Sequence, residues 1–349
     1  MTAEKRYDMY VHWNLSLQCN FSCEYCIVNA AKEPAAAIDI PKVIRRLDEL
    51  NKTLLISFSG GEPFIVPNFT ELCRELTKKH YIRIDSNLSL VNPCKKFMNT
   101  IDPERVLEIC FSPHVGERER LKIGLDELVS LVKEFQKNGF RMIGNYTAYP
   151  PLLGRMERDI KFFESHGIKV LPTFFWGRFN GKHYPVHWGR ISYSRKDLEL
   201  IERLNRNAKT HLRRTRNDPC LAGSSAFTIT NNEVIMCDMI HTKLGDFFGE
   251  WRLFPKIIRC TEKYCPCPLN RAPAVTFFPD DYPAKEILKR ELSAKTIYSL
   301  SESYKMIEGS YFRLLLNKMR SICWRLGLRR SMFPFLKILS LFLIDPASL

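Results

Sequence analysis

The sequence has no amino-terminal signal peptide and no apolar run long enough to span a bilayer. The first segment, MTAEKRYDMYVHW, contains charges where the apolar core of a signal peptide should lie. The apolar stretch 332–344 is shorter than the roughly 20 residues that a membrane-spanning helix needs. A cytoplasmic location is therefore expected. In that reducing compartment, the closely spaced members of the 12 cysteines are more often metal ligands or redox groups than disulfides.

Acidic residues are scarce in two windows of this basic chain, whose net charge is +15. Residues 178–216 contain 11 Lys or Arg against 3 Asp or Glu, and residues 309–344 contain 7 basic residues and no acidic one. As blocks, the first indicates an anionic, phosphorylated small-molecule substrate, and the second indicates peripheral contact with the inner face of a membrane. The alternatives are solvated helical faces and a packed C-terminal helix.

No internal repeat is visible, but between residue 8 and about residue 175 short apolar strands alternate with amphipathic helices. This pattern is typical of βα units around a parallel sheet, and six units favour a partial (β/α)6 barrel over a closed eight-fold one. Helices are expected over 39–50, 68–79, 121–138 and 154–166, the first beginning at Asp39 before Pro41. The predicted strands are Met9–Leu15, Leu54–Ser59, Tyr81–Ser86, Val106–Ser112, Phe140–Ala148 and Ile168–Phe174.

Three domains are predicted. The barrel occupies residues 1–210, and a small cysteine-rich domain with a β-hairpin turning at Asn231-Asn232 occupies 211–285. Residues 286–349 form a helical region with a basic, apolar tail.

The first cysteines, Cys19, Cys23 and Cys26, form a CxxxCxxC pattern in a loop after the first strand. Three thiolates on one loop can hold three irons of a 4Fe–4S cube and leave the fourth iron open for chemistry. A closed zinc site is the alternative, but it needs four ligands. No fourth Cys or His lies nearby in sequence, and His12 could serve only if the strand bent back.

Together with Ser59-Gly60-Gly61-Glu62-Pro63-Phe64 after the second strand, these cysteines resemble the radical S-adenosylmethionine (SAM) superfamily. The resemblance implies that Tyr25, just before the third cysteine, marks where the backbone approaches the adenine. It also implies that the segment Gly60, Gly61, Glu62 and Pro63 holds the methionyl amino group of SAM.

The resemblance implies further SAM contacts at later strand ends. Ser86 and Asn87 lie where the family often has Thr-Asn-Gly, although Leu88 replaces the glycine, and Ser112 or Asn145 is expected to face SAM. The alternative for each is an ordinary polar residue at a strand end.

The implied reaction begins with one electron from an external flavodoxin or ferredoxin type of donor. SAM is then cleaved to a 5′-deoxyadenosyl radical, which abstracts hydrogen from an unactivated carbon, while the protein binds, orients and excludes competing reactions.

A second cysteine group lies at Cys220, Cys237, Cys260, Cys265 and Cys267. It is similar to the SPASM or twitch extension of radical SAM enzymes, which implies one auxiliary 4Fe–4S cluster on Cys220, Cys237, Cys265 and either Cys260 or Cys267. A structural zinc knuckle is the alternative. The scattered cysteines are expected to be packing residues: Cys73, Cys94, Cys110 and Cys323.

The leading functional hypothesis is dehydrogenation of an anionic small molecule, such as a nucleotide sugar or a lipid-linked phosphate. A peptide maturase is an alternative, weakened because Cys19 lies too near the start for a leader-binding domain upstream. An RNA-modifying enzyme is favoured by charge alone, so nucleic acid is not an expected partner. A non-catalytic, membrane-associated iron–sulfur protein is the alternative of another class. Only Asp238, beside Cys237, is a positional candidate for acid–base chemistry.

Overall fold

A mostly parallel sheet forms the frame of the protein in the computed structural model, which describes residues 7–28, 34–188, 190–206, 208, 216 and 218–265. Six strands follow one another in chain order and pair in parallel with their sequence neighbours. Because they are parallel, the loops after them meet at one edge. The strands are β1 (Met9–Ser16), β2 (Leu54–Gly60), β3 (Tyr81–Ser86), β4 (Val106–Phe111), β5 (Met142–Ala148) and β6 (Val170–Phe174).

All six predicted strands are present, but β5 and β6 begin two residues later than predicted. Phe140 donates its backbone N–H to Phe135 O, and Ile168 donates to Phe163 O. Each therefore belongs to the capping turn of the preceding helix, where a glycine with positive φ ends the helix. The fold is of the α/β class, as predicted. Within the described residues, β1 and β6 do not pair with each other.

Seven α-helices lie among the described residues, and the sequence predicts four of them. The Asp39 side chain accepts a hydrogen bond from Lys42 N at 3.0 Å, which confirms the predicted start of the first helix. The predicted helix 121–138 instead begins at Leu125, because Lys122 adopts a left-handed conformation. The helices are α1 (Ile40–Asp48), α2 (Phe69–Thr77), α3 (Val91–Thr100), α4 (Val115–Leu121), α5 (Leu125–Lys137), α6 (Leu153–Ser165) and α7 (Arg195–Leu204); 3-10 turns lie at Pro63–Ile65, Pro103–Arg105 and Pro150–Leu152.

Nine further short strands follow β6 among the described residues. Two antiparallel pairs, β7 (Gly177–Phe179) with β8 (Lys182–Tyr184) and β9 (Val186–His187) with β10 (Arg190–Ile191), precede α7. After α7, β11 (Pro219–Cys220) pairs with β15 (Ile258–Arg259). The other three extend the main sheet: β12 (Ala226–Thr230), β13 (Glu233–Ile235) and β14 (Lys243–Asp246).

The predicted hairpin is β12–β13, and its turn residues Asn231 and Asn232 have φ values of 49° and 61°. Two left-handed residues are what a two-residue turn between antiparallel strands requires, and asparagine tolerates them well. β12 pairs in parallel with β1, so the hairpin continues the main sheet and is not a separate sheet in the part of the chain described here. The domain limits 1–210, 211–285 and 286–349 remain predictions.

The core lies between this sheet and its helices. The aromatic side chains of Phe58, Phe64, Phe69 and Phe97 contact one another with ring centroids 5.2–6.2 Å apart. Each such pair contributes about 0.5–1.5 kcal/mol beyond area burial. The predicted packing cysteines Cys73, Cys94 and Cys110 are fully buried, whereas Cys323 lies outside the described residues.

The described helices include none that is long and apolar enough to cross a membrane. The predicted membrane-binding tail lies outside the described residues, as do Cys267 and the whole region 286–349.

Candidate active site

The loop that follows β1 contains Cys19, Cys23 and Cys26 as free thiols. Phe21 N donates to Cys19 Sγ at 3.4 Å, Cys23 Sγ lies 3.4 Å from His114 Nδ1, and the Cys26 thiol donates to a backbone carbonyl at 3.1 Å. Cys19 and Cys23 are half-buried, while Cys26 is exposed. The loop therefore presents three sulfur atoms at the carboxyl edge of the sheet.

The electrostatics of these thiols fit an iron–sulfur cluster. Burial raises the pKa of Cys19, and it raises the pKa of Cys23 to about 12, with Glu117 and the two neighbouring thiols adding to the rise. Three thiolates at this place therefore need a compensating cation, which the irons of a cluster supply. Within the described ranges, no three Cys, His, Asp or Glu side chains already converge at metal-ligand distance. The three thiols therefore fit a cluster by the type of their donor atoms and by their proximity to one another, and not by a ligand geometry that is already formed.

Residues after β3 and in α4 hold the cysteine loop. The Asn87 side chain donates to Asn20 Oδ1 at 2.9 Å and lies 3.9 Å from Cys19 Sγ. Ser22 N donates to the Glu117 carboxylate at 2.6 Å. These contacts fix the loop from the end of β3 and from α4.

His114 contacts the cysteine loop, which the sequence did not predict. Its left-handed backbone, with φ of 43°, directs the ring to the loop, where Nδ1 also lies 2.8 Å from the Tyr25 hydroxyl. Burial lowers the pKa of His114 to about 4, so the imidazole is neutral at neutral pH. Its only sequence signal was its position just after β4, because no motif predicts the left-handed turn.

Tyr25 lies beside this histidine, in the cysteine loop itself. Its ring stacks on His114 with centroids 5.8 Å apart, and the Tyr149 ring lies 5.2 Å away. The structure therefore places Tyr25 in an aromatic group next to the three thiols. The approach of its backbone to adenine remains a prediction.

The segment Gly60-Gly61-Glu62-Pro63 packs directly on the cysteine loop. Gly61 N donates to Ser16 O at 2.6 Å, and Glu62 N donates to Gln18 O at 2.8 Å. A Cβ on Gly61 would overlap the backbone of Gln18, and Gly60 has a φ of 111°. Both glycines are required for this close approach, and Pro63 begins the 3-10 turn that follows.

The Glu62 carboxylate joins the ends of two strands. It accepts hydrogen bonds from Phe64 N at 3.1 Å, Ser86 Oγ at 2.8 Å and Asn87 N at 2.7 Å, and the residue is only 1 % exposed. Burial outweighs these bonds and the Arg118 charge, and raises the pKa of Glu62 to about 7. The sequence predicts that this carboxylate holds the amino group of SAM. The contacts seen here are internal, so that role remains a prediction.

The segment after β3 keeps its turn although Leu88 occupies the position where a glycine is expected. Its φ is 50°, a left-handed conformation that glycine favours. Its side chain is buried, and Leu88 N donates to Ser86 Oγ at 2.9 Å. The turn is therefore retained although the residue type differs.

The remaining predicted SAM contacts, Ser112 and Asn145, are half-buried. Ser112 N donates to Ser86 O at 2.9 Å, and the Asn145 side chain accepts from Thr173 Oγ1 at 2.5 Å. Ser112 lies at the same edge as Gly61, whereas Asn145 lies within β5 and contacts β6. Their contact with SAM remains a prediction.

The second cysteine group is a cluster of four buried thiols, Cys220, Cys237, Cys260 and Cys265. A hydrogen bond with Cys260, followed by burial, raises the pKa of Cys220 well above its usual value. Burial, followed by the proximity of Cys265, raises that of Cys237. The Cys237 thiol also raises the pKa of Cys220, so the four thiols influence one another electrostatically. The fifth predicted ligand, Cys267, is outside the described residues.

A polar network connects β1, β2 and the residue after Cys237. Asp238 Oδ2 lies 3.4 Å from His12 Nε2, and Asn14 Nδ2 donates to Asp238 Oδ1 at 3.1 Å. Ser59 Oγ lies 2.9 Å from His12 Nε2 and donates to Asn14 Oδ1 at 2.9 Å. Asp238 was a candidate by position alone, and the structure now gives it partners at the carboxyl edge of the sheet.

A cavity of about 270 Å³ lies between the strands after β6 and the segment before Cys265. Trp176, Tyr184 and Val186 supply an aromatic and apolar wall. The lining also includes the charged residues Arg216, Glu262 and Lys263. The cavity therefore has the size and mixed character of a site for one side chain or a small ligand.

Comparison with known families identifies the core of this site. Residues 13–163 match the Radical SAM superfamily. The match covers less than half of the chain and includes the three thiols and the glycine-rich segment. Members of this family are enzymes that use a 4Fe–4S cluster and SAM.

The individual relatives match shorter segments of the chain. The mycofactocin maturase MftC of Mycobacterium ulcerans is 27 % identical over 84 residues, which is 23 % of either chain. This chain thus spans less than a quarter of the length of that relative. MftC of Mycobacterium tuberculosis is 26 % identical over the same number of residues, covering 23 % of this chain and 22 % of that one.

Two solved structures share the fold. Streptococcus suis SuiB bound to S-adenosylmethionine has 16 % identity and a TM-score of 0.50, covering 70 % of this chain and 64 % of SuiB. The native anSMEcpe structure with bound AdoMet and Kp18Cys peptide has 17 % identity and a TM-score of 0.51, covering 69 % of this chain and 78 % of anSMEcpe.

Proposed function

We propose that this protein is a radical SAM enzyme that oxidises or otherwise modifies a side chain of a peptide. The observation that carries the enzyme proposal is the loop of Cys19, Cys23 and Cys26 packed on the glycine-rich segment inside the matched domain. The peptide is supported by relatives named maturases and by a fold neighbour that holds a peptide. This support favours the maturase alternative over the anionic small molecule that the sequence alone suggested.

The chain's own residues bind and position the reactants. When bound, the cluster and SAM supply the 5′-deoxyadenosyl radical. Gly60 and Gly61 hold the glycine-rich segment against the cysteine loop, and Asn87 and Glu117 hold the loop from the far side. These contacts, from the ends of β2 and β3 and from α4, hold the cysteine loop beside the glycine-rich segment and keep its three thiols near one another.

The four buried thiols support a second metal centre. Their burial, the hydrogen bond between Cys220 and Cys260, and their electrostatic influence on one another favour Cys220, Cys237, Cys260 and Cys265 as the ligands of one auxiliary 4Fe–4S cluster. Zinc has the same preference for four thiolates and is the alternative occupant. A 4Fe–4S centre would supply an electron acceptor for oxidation of the substrate, which zinc cannot.

Asp238 is the residue that the geometry favours for proton transfer. Oxidation of a C–H group after loss of a hydrogen atom releases one electron and one proton. Asp238 follows a proposed cluster ligand, and its side chain is 46 % exposed at the carboxyl edge of the sheet. His12 and Asn14 orient the carboxylate, as positioned partners do for a general base.

The test uses anaerobically reconstituted full-length protein with dithionite or flavodoxin as the electron donor. Formation of 5′-deoxyadenosine and methionine, lost in Cys23→Ala, is expected of the enzyme. Its absence from iron-loaded, reduced protein would favour the non-catalytic iron–sulfur protein instead.

The substrate class is tested separately by following deuterium into 5′-deoxyadenosine by mass spectrometry. Perdeuterated peptide pools should transfer the label, and deuterated nucleotide sugars should not. The reverse result would return the substrate to the small-molecule class while leaving the enzyme class intact.

A further inference from the structure

A basic segment of two short antiparallel strand pairs, β7–β8 and β9–β10, lies between β6 and α7. We call its described residues, 177–188 and 190–191, the basic arm. Trp188 is 91 % exposed and Ile191 is 45 % exposed, although large apolar side chains are buried at most other places described. The Trp188 ring can therefore pack against a partner.

The basic arm contains several cationic side chains without an acidic partner among the described residues. Arg178, Lys182 and Arg190 are exposed, and within the described residues none of them forms an ion pair. No Asp or Glu occurs from residue 165 to residue 196.

Two arginines of the same basic window have acidic partners. In α7, Arg195 pairs with Glu199, and Arg203 pairs with Glu157 of α6. The three cations of the arm have no such partner among the described residues, so their charge can attract an anionic ligand.

The basic arm contributes to the lining of the cavity described above. Tyr184 and Val186 belong to both, and Trp176 directly precedes the arm. The lining also includes Lys263 and Tyr264, which precede the buried thiol of Cys265. A ligand lying along the arm thus reaches a cavity with one side next to the second cysteine group.

We propose that the basic arm docks an acidic segment of the peptide substrate, with an apolar side chain of that segment packed against Trp188. This rests on the proposed function, which supplies a peptide as the substrate class. Unpaired cations favour carboxylates by charge complementarity, which sets specificity and association rate. An exposed tryptophan supplies a large rigid contact, as in the energetic centres of interfaces. One peptide side chain would then enter the cavity.

The experiment measures binding without turnover on the anaerobically reconstituted full chain. The probes are fluorescein-labelled Gly-Asp-Glu-Phe-Asp-Glu-Leu-Asp-Gly and its neutral match, Gly-Asn-Gln-Phe-Asn-Gln-Leu-Asn-Gly, followed by fluorescence anisotropy. The acidic peptide is expected to bind at least about tenfold more tightly, and this preference should shrink between about 0.05 M and 0.3 M NaCl.

Two double variants isolate the basic arm. Arg178→Glu with Arg190→Glu should abolish the preference for the acidic peptide. Lys52→Glu with Lys133→Glu makes the same change in net charge at exposed sites elsewhere and should retain it. Trp188→Ala should weaken binding of both peptides. Iron content and melting temperature show whether each variant is folded.

Several outcomes would overturn the proposal. These are equal binding of acidic and neutral peptides, equal losses in the two charge-reversal variants, or tighter arm-dependent binding of an oligouridine decamer than of the acidic peptide. Each can occur while SAM cleavage and label transfer from peptides succeed, so failure of the docking site is distinguishable from failure of the proposed function.

Discussion

The Asp238 carboxylate lies 3.4 Å from Nε2 of His12, although the two residues belong to opposite ends of the described chain. The pairing follows from the sheet: β12 pairs in parallel with β1, and the hairpin β12–β13 ends beside Cys237. Asp238, which follows the proposed cluster ligand Cys237, is thereby brought to the sheet edge where the loop of Cys19, Cys23 and Cys26 lies. The hairpin thus adds Asp238 to a polar site formed by side chains of β1 and β2.

Replacing Asp238 with Asn should separate the initiation of the reaction from its completion. The variant keeps the shape and the contact with Asn14 but cannot take up a proton. Product formation is expected to fall by about 100-fold or more, while 5′-deoxyadenosine is still formed without coupled product. Asp246→Asn, on the neighbouring β14, is the matched control and should behave as wild type. Equal losses of product and 5′-deoxyadenosine in Asp238→Asn would assign the residue to SAM binding or folding.

Gly61→Ala should loosen the contact between the glycine-rich segment and the cysteine loop. The added Cβ would overlap the Gln18 backbone, which cannot rotate away as a side chain could. A fall of more than about 2 kcal/mol in the free energy of unfolding is expected, together with weaker SAM binding in equilibrium dialysis.

Gly154→Ala is the control for that substitution. No atom lies within 4 Å of its added Cβ, and the residue lies in α6. Because alanine favours helix over glycine, the variant should be neutral or more stable by up to about 1 kcal/mol. If both variants behaved alike, the close approach at Gly61 would not be the reason that glycine is needed there.

Local signals were sufficient to predict most of the frame. The alternation of apolar strands and amphipathic helices predicted β1–β6, and Asp39 and the Asn231-Asn232 turn were identified from residue type alone. Helix α7 was missed, although Ser194 and Asp197 form a capping box whose spacing is visible in the sequence.

The site was predictable only where a motif is local. Cys19, Cys23 and Cys26 share one loop, so their spacing was informative. His114 reaches them through a left-handed residue, and His12 meets Asp238 through parallel pairing of β1 with β12. Such contacts depend on tertiary structure, and no spacing rule predicts them.

The sequence leaves open whether Cys260 or Cys267 is the fourth ligand of the auxiliary cluster. We predict that it is Cys260. Because Cys260 contacts Cys220 inside the buried thiol group, Cys260→Ser should reduce the iron content of reconstituted protein from about eight to about four atoms per chain. Cys267→Ser should retain about eight. The opposite pattern would make Cys267 the ligand, and four irons with one zinc in the wild type would replace the auxiliary cluster by a zinc site.

His80 should make the metal-free chain less stable in mild acid. It is 2 % exposed, its Nδ1 accepts from Leu54 N at 3.2 Å, and burial lowers its pKa to about 4. The unfolded chain, with an ordinary histidine pKa near 6.5, binds a proton that the folded chain excludes. Stability from this group is therefore complete above about pH 6.5 and is lost as the pH falls towards 4, by about 3 kcal/mol in total.

His80→Asn should remove this dependence, because a neutral amide can still accept from Leu54 N but does not titrate. Urea denaturation of both chains between about pH 7 and pH 4 is expected to show that the wild type loses its stability advantage over the variant as the pH falls. Parallel curves would mean that the imidazole gains a proton without leaving its site, and that burial does not control its titration.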